Sequence, residues 1–116
     1  MNSMKQKKYD NSAKMRLSHN SLYRIVQNIP EGKVTTYGAL ARMCGIRSPR
    51  TVGHILHQNP DPVHIPCHRV VNAQGFVAHN FAFGGGHAQK AKLIQEGIMF
   101  VGDHADLSYF VWTGVH

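Results

Sequence analysis

The sequence predicts a mainly α-helical domain with a small β element, built around a helix-turn-helix in a winged-helix-like arrangement. Three observations predict it: a length of 116 residues, a net charge of +7, and two short helical patterns joined by a glycine turn. A chain of this length forms about one domain. The excess of 13 Lys and Arg over 6 Asp and Glu favours a polyanionic partner, as expected of a DNA-binding domain.

The first helical pattern starts the folded part of the chain. Ser18 is placed to cap a helix in which Leu22, Val26 and Ile29 recur at helical spacing. Pro30 is expected to end that helix. Residues 18–116 are therefore predicted to form the domain.

The next two patterns make the helix-turn-helix. A short extended segment leads to Thr35 or Thr36, either of which can cap a second helix that stops at Gly45. Ser48 caps the third helix, with Pro49 at the first helical position, where its missing N–H costs nothing. Two short helices joined by a glycine turn are a helix-turn-helix candidate, although many small helical domains contain such a pair.

The second half of the chain predicts one more helix and the β element. A polar, glycine-rich loop over 72–86 leads to a helix from about His87 to Glu96, which Gly97 ends. Residues 98–101 and 107–112 are predicted to pair as a small hairpin or wing.

Residues 1–17 lack apolar periodicity and are predicted to form a disordered basic arm. Five of the chain's basic residues lie there beside a single acidic one, Asp10. Such an arm either attracts a polyanion or only keeps the chain dispersed, and the sequence leaves both open.

The composition excludes several classes of protein. No apolar run approaches the ~20 residues of a membrane-spanning helix. Two cysteines, Cys44 and Cys67, are too few for a disulfide framework, and no signal-peptide core stands at the N-terminus. We therefore expect a cytoplasmic protein without a membrane partner, nucleoid-associated in a bacterium or nuclear in a eukaryote.

Cys67 is the main candidate for chemistry. It follows a stiff loop over 59–66 that contains three prolines, and it precedes His68. A cysteine attacks as its thiolate, and a nearby imidazole can accept the proton. The alternative is a small buried hydrophobic residue, which is how we interpret Cys44 on its apolar helix.

Glu96 is the candidate to orient the histidine. A histidine base is normally oriented by a carboxylate, and Glu96 is the only acidic residue between Asp61 and Asp103. Its position at a helix end is unfavourable for a negative charge. A plain exposed glutamate is the alternative.

These residues resemble the catalytic C-terminal domain of O6-alkylguanine-DNA alkyltransferases and the related alkyltransferase-like proteins. The resemblance runs from about Ser18 to Trp112 and is most specific at 65–71, IPCHRVV, which is similar to the family's PCHRV active-site signature. Four further blocks stand around it in order: residues 34–42, 50–53, 59–60 and 93–97.

The resemblance implies roles for four catalytic residues. Cys67 would accept the alkyl group of O6-alkylguanine irreversibly, so that each molecule reacts once as a methylated-DNA–protein-cysteine methyltransferase. His68, oriented by Glu96, would draw the proton from the thiol through a water. Tyr37 would hydrogen-bond the flipped guanine and help to protonate it as it leaves. No cofactor is implied.

The resemblance also implies how duplex DNA is held. The third helix would enter the minor groove, and Arg50 would fill the stack where the damaged nucleotide is flipped out. A phosphate-contacting or solvated arginine is the alternative. Ser48, Thr51 and Gly53 would allow close approach because they are small.

Further residues would shape the base pocket. Asn59 would tie down the cysteine turn, and Pro62 would line the pocket. The carbonyls of Cys67 and Val70 would accept from the guanine amino group, while Arg69 would hold the loop or the end of the last helix.

No metal site is expected. His54 and His57 lie three residues apart on one helix, but no thiolate or carboxylate neighbour completes a tetrahedral set. We interpret them as a solvated or phosphate-facing pair.

Departures from the pattern leave two hypotheses open. The chain has a short arm where alkyltransferases have an N-terminal domain, as alkyltransferase-like proteins do, yet those commonly carry tryptophan where this chain keeps Cys67. The loop over 75–86 is about two residues longer than usual, so either Phe81 or Phe83 could be the pocket aromatic. The first hypothesis is an alkyltransferase. The alternative is a non-catalytic protein that binds O6-alkylguanine and passes it to nucleotide excision repair proteins. Either would act as a monomer on double-stranded DNA, whereas a plain helix-turn-helix regulator leaves the Cys–His turn unexplained.

Overall fold

The structure is a computed structural model that describes residues 19–114. The predictions for Ser18 as a helix cap and for the basic arm over 1–17 lie outside the described residues. The prediction of a mainly helical fold with small β elements is confirmed. In chain order the elements are α1 (19–27), β1 (Thr35–Thr36), α2 (Tyr37–Cys44), α3 (Pro49–His57), a 3-10 turn (Cys67–Arg69), β2 (Val70–Val71), α4 (Gly85–Gln95), β3 (Phe100–Val101), β4 (His104–Ala105) and α5 (Leu107–Phe110).

Local capping rules set the bounds of α2 and α3. The Thr36 hydroxyl accepts from the backbone N–H of Ala39 at 3.1 Å, and Gly45 ends α2 in the left-handed region with φ of 65°. The Ser48 hydroxyl accepts from the N–H of Thr51 at 3.2 Å. The two helices pack against each other, so the predicted helix-turn-helix forms.

A first hydrophobic cluster joins these helices to the cysteine turn. It includes Leu22 of α1, Leu40 of α2 and Val52 of α3, all fully buried. Burial of each such side chain contributes about 1.5–3 kcal/mol. Cys67 belongs to the same cluster, so the core itself positions the candidate nucleophile.

The short strands β1 and β2 pair in parallel, Thr35 with Val70 and Thr36 with Val71. This pairing places the start of α2 beside the cysteine turn. Thr36 rather than Thr35 is the helix cap. Thr35 is fully buried, and its hydroxyl has no hydrogen-bond partner among residues 19–114.

The end of the chain differs from the prediction. Phe100 pairs with Ala105 in an antiparallel hairpin, so β3 has its partner in β4 and not in residues 107–112. Leu107–Phe110 is helical because the carboxylate of Asp106 accepts from the N–H of Ser108 at 3.2 Å and caps the turn. The predicted second strand of the wing is therefore wrong.

The start of α4 also differs by two residues. The helix runs over Gly85–Gln95 rather than from about His87 to Glu96. Gly84 and Gly85 have φ of 117° and 78°, which residues with a side chain rarely adopt. They turn the chain out of the loop, so that α4 begins two residues earlier than the polar pattern indicates.

Candidate active site

An open cleft of about 710 Å³ lies where α2, α3 and the cysteine turn meet the loop over 78–82. Tyr37, Arg50, Gly53 and Cys67 all line it. The fold therefore brings together four of the predicted site residues, which come from three separate blocks of sequence. A cleft of several hundred Å³ is the size of a small-ligand site, enough for one base.

Cys67 is held in a tight turn on the wall of the cleft. Its side chain belongs to the core and the residue is only 6% exposed. The N–H of Cys67 donates to the carbonyl of Ile65 at 2.7 Å. Burial raises the pKa of the thiol, and the hydrogen bond from Asn59 and the positive charge of Lys92 offset only part of this rise. The resting cysteine is thus a thiol at neutral pH.

Asn59 holds the backbone that leads into this turn. Its amide nitrogen donates to the carbonyl of Ile65 at 2.8 Å, and its amide oxygen accepts from the N–H of Asp61 at 2.9 Å. Both bonds are local to the proline-containing loop. The side chain is buried, so it acts as an internal strut between two stretches of backbone.

His68 contacts Glu96 directly. The distance from Nε2 of His68 to a carboxylate oxygen of Glu96 is 3.0 Å. Burial, together with the positive charges of Arg69 and Lys92, lowers the pKa of His68 despite the opposing effect of Glu96, so the imidazole is neutral at neutral pH. Since a carboxylate only accepts, the neutral ring donates from Nε2 and leaves Nδ1 as an acceptor.

Arg69 fixes the other side of Glu96. Its guanidinium donates to both carboxylate oxygens, at 2.9 Å from Nε and 2.6 Å from Nη2, and to the carbonyl of Ile29 at 2.8 Å. Burial alone would raise the pKa of Glu96, but the hydrogen bonds from Arg69 and His68 outweigh it and lower the pKa. A negative charge at the end of α4 is therefore stabilised by a specific partner.

Tyr37 faces the same cleft from the first turn of α2. Burial raises its pKa, and the nearby Cys67 raises it further. The phenol therefore stays protonated and can donate a hydrogen bond into the cleft.

The outer rim of the cleft is a face of α3. Arg50, His54 and His57 line it at positions i, i+4 and i+7, and all three are exposed. The histidine pair therefore lies with Arg50 on one exposed surface of α3. Ser48 and Thr51 lie outside the lining and bond to each other at the start of α3.

The residues predicted to support the base pocket, Asn59, Pro62, Arg69 and Val70, are not among those that line this cleft. Pro62 lines a separate cavity of about 430 Å³ together with His68, Arg69 and Glu96. Of the two aromatic candidates, Phe81 lines the main cleft. Phe83 packs edge-on against the ring of Phe81, with the two ring centroids 5.7 Å apart.

Two residues of α4 were missed by the sequence reasoning. Gln89 is fully buried and hydrogen-bonded to the carbonyls of His68 and Val70. The ammonium of Lys92 lies 5.8 Å from the centroid of the Phe81 ring. The available signal was spacing, because both fall on the same face of the helix as Glu96.

No group of three or more His, Cys, Asp and Glu within residues 19–114 is arranged to hold a metal ion. In the same part of the chain, none of the helices has the length and apolar character needed to cross a membrane.

Comparison with known proteins supplies a family. The model described as 6-O-methylguanine DNA methyltransferase, DNA binding domain, matches residues 18–98. The alkyltransferase-like protein 1 of Schizosaccharomyces pombe is 39% identical over 82 residues, which are 69% of this chain and 75% of that protein. The DNA base-flipping protein of Escherichia coli is 38% identical over 94 residues, 79% of this chain and 71% of that protein.

Solved structures agree with the sequence matches. The S. pombe alkyltransferase-like protein in complex with damaged DNA containing O6-carboxymethylguanine superposes with a TM-score of 0.70 at 30% identity, covering 83% of this chain and 94% of that one. Methyltransferases match over less of their length. The chain spans 36% of the Mus musculus methylated-DNA–protein-cysteine methyltransferase and 26% of a Thermoplasma volcanium bifunctional methyltransferase/endonuclease.

Proposed function

Because this chain belongs to the family of the 6-O-methylguanine DNA methyltransferase DNA-binding domain, we propose that it binds duplex DNA and flips an O6-alkylated guanine into the cleft. The cleft carries this proposal, since it joins a helix-turn-helix surface to a recess of base size lined by Tyr37, Phe81 and Cys67. A base inside a duplex reaches such a recess only when it leaves the stack.

The exposed face of α3 at the rim of the cleft supports the DNA-binding part of this proposal. Arg50 is exposed at the edge of the cleft, where its planar cation can occupy the space that the flipped base leaves. His54 and His57 continue the same face and can approach phosphates.

Recognition without repair is the function that we place first. The relatives from S. pombe and E. coli that share most of their length with this chain are named as an alkyltransferase-like protein and a base-flipping protein, and this supports it. In this reading the bound lesion is passed on, and nucleotide excision repair proteins are the partners. The buried, protonated state of Cys67 is compatible with a base-binding wall.

Alkyl transfer is the second candidate, and a specific observation favours it. Cys67 lies on the cleft directly before His68, which is backed by Glu96 and Arg69. The thiol proton would pass to Nδ1 of His68 through a water, and the sulfur would attack the alkyl carbon. The bond from that carbon to O6 would break, the guanine would take a proton from Tyr37, and S-alkylcysteine would remain.

One experiment separates the two candidates. The full chain is mixed with duplexes that carry O6-methylguanine or guanine at one position, and binding is followed by fluorescence anisotropy and intact mass. We expect tighter binding to the lesion duplex, and we expect Arg50→Ala to lose that preference while Arg24→Ala, an exposed arginine of α1, keeps it. Equal affinity of the wild-type protein for both duplexes would overturn the proposal.

The mass measurement decides on chemistry. An unchanged mass after prolonged incubation supports recognition alone. The net gain of one CH2 group, mapped to Cys67 and absent from Cys67→Ala, shows alkyl transfer instead.

A further inference from the structure

Gln89 connects the two walls of the cleft. This residue of α4 is fully buried, and its amide nitrogen donates to the carbonyls of His68 at 3.1 Å and Val70 at 2.8 Å. Its amide oxygen accepts from the N–H of Ala78 at 2.9 Å. One side chain therefore holds the turn that carries Cys67 and the start of the loop over 78–82.

The hydrogen bonds leave the Gln89 amide only one orientation. Both N–H donors and the oxygen are in use, and a flipped amide would set its oxygen against two carbonyls and its NH2 group against the N–H of Ala78. A buried polar group whose hydrogen bonds are all made is rigid, because moving it would leave a donor or acceptor unpaired.

Both segments that Gln89 holds contribute to the cleft. Cys67, which lines the cleft, directly precedes His68, whose carbonyl accepts from Gln89. Phe81, which also lines the cleft, comes from the loop that begins at Ala78.

We propose that Gln89 is a positioning residue that sets the separation of the Cys67 turn from the 78–82 loop and thereby the preference for alkylated over ordinary guanine. This inference rests on the proposed function. The two bases differ by a single alkyl group, so the preference depends on a close fit between walls. A gap of about 0.5–1 Å between two packed surfaces already removes a quarter to a half of the dispersion energy of a contact.

Two variants separate the hydrogen bonds that Gln89 donates from the one that it accepts. Gln89→Lys keeps a donor for the two carbonyls but has no acceptor for Ala78, while Gln89→Glu keeps an acceptor for Ala78 but has no donor for the carbonyls when ionised. Gln95→Lys and Gln95→Glu add the same charges at an exposed position of the same helix and are the matched controls.

Affinities of the full chain for the O6-methylguanine and guanine duplexes give the readout. We expect both Gln89 variants to lower the lesion-to-ordinary affinity ratio by about fivefold or more, because each frees one wall. Affinity for the guanine duplex should stay within about twofold of the matched Gln95 variant, since only the charge has changed. A purely structural role would lower the melting temperature and leave the ratio unchanged.

A measurement on the wild-type protein covers the case in which the variants do not fold. Amide hydrogen exchange should show the N–H of Ala78 protected to the level of α4, far above the exposed N–H groups of a surface loop. Rapid exchange at the N–H of Ala78 would show that its hydrogen bond to Gln89 is not maintained, and it would overturn the positioning role.

The possible failures are distinguishable. If the wild-type protein prefers the lesion duplex and folded Gln89 variants keep the full ratio, the positioning role is overturned and the proposed function stands. If the wild-type protein binds both duplexes equally, both proposals are overturned.

Discussion

Replacing Glu96 with alanine removes the carboxylate on which buried His68 and partly buried Arg69 depend. The carboxylate accepts from His68 and twice from Arg69, and its side chain and that of Arg69 are only 13% and 15% exposed. In Glu96→Ala the guanidinium keeps one bond, to the carbonyl of Ile29, and has no counter-charge. Glu96→Gln retains the shape and one acceptor.

The expected loss is a large part of the total stability. Removing one partner of a buried ion pair costs about 3–5 kcal/mol, whereas domains have about 5–15 kcal/mol in all. The ion pair of Lys90 with Asp103 is the contrast, since its atoms are 3.7 Å apart and the aspartate side chain is 88% exposed. Asp103→Ala should cost less than about 1 kcal/mol.

Urea denaturation measures both losses. The single tryptophan, Trp112, packs against the first cluster, so its fluorescence reports unfolding of the core. In a thermal scan with the same signal, Glu96→Ala should lower the melting temperature by on the order of 10 °C or more, and the melting temperature of Glu96→Gln should fall between those of Glu96→Ala and the wild type. In a double-mutant cycle with Arg69→Met, the two losses should be strongly non-additive.

Two results would refute this reasoning. If Glu96→Ala costs no more than Asp103→Ala, the carboxylate is not the counter-charge of Arg69. If the losses from Glu96→Ala and Arg69→Met simply add, the two side chains act independently.

Two further predictions concern pH and a glycine turn. The pKa of His68 is lowered from its ordinary 6.5 and that of Glu96 from its ordinary 4.5, so the unfolded chain binds these protons first as the pH falls. The free energy of unfolding should therefore drop below about pH 6.5 and again below about pH 4.5. His68→Gln should abolish the first drop in urea titrations made at a series of pH values. A first drop that persists in this variant would show that it does not come from His68. Gly75→Ala should cost more than about 2 kcal/mol, because φ is +93° and the new Cβ would lie 2.5 Å from the carbonyl oxygen of Ala105. Gly102→Ala, with φ of +63° and open space, should cost about 1 kcal/mol, and equal losses in the same titration would disprove the steric argument.

Local rules made the helix-turn-helix predictable. Thr36, Gly45 and Ser48 act within three or four residues of themselves, through bonds between a side chain and a nearby N–H or through a left-handed backbone. Such signals depend only on residues close together in the sequence, so they can be recognised without the structure. The same kind of rule explains the error at 107–112, because the β-branched and aromatic residues there favour a strand while the Asp106 cap favours a helical turn.

The site was predictable where side chains bind side chains. Glu96 stood out because acidic residues are scarce. Its contact with Arg69 follows from complementary charge, and its contact with the neutral His68 pairs an N–H donor with a carboxylate acceptor. The partners of Gln89 could not be predicted in this way, because all of them are backbone groups. Every residue type has such groups, so the identity of the partner residues gives no signal. Pro62 illustrates the same limit, because which of two cavities it lines depends on how the loop turns in space.

The pairing of Val34 has a consequence for how the chain folds during synthesis. Its N–H donates to the carbonyl of Phe110 at 3.0 Å and its carbonyl accepts from the N–H of Trp112 at 2.6 Å. The residue just before β1 is therefore paired through its backbone with residues 110–112. The helices α1 to α3 emerge first from a ribosome, but the segment between α1 and α2 lacks one neighbour until residue 112 has been made. Contacts of such large sequence separation form late. A fragment cut at residue 98, where the family match ends, would leave both Val34 groups unpaired and should not fold on its own.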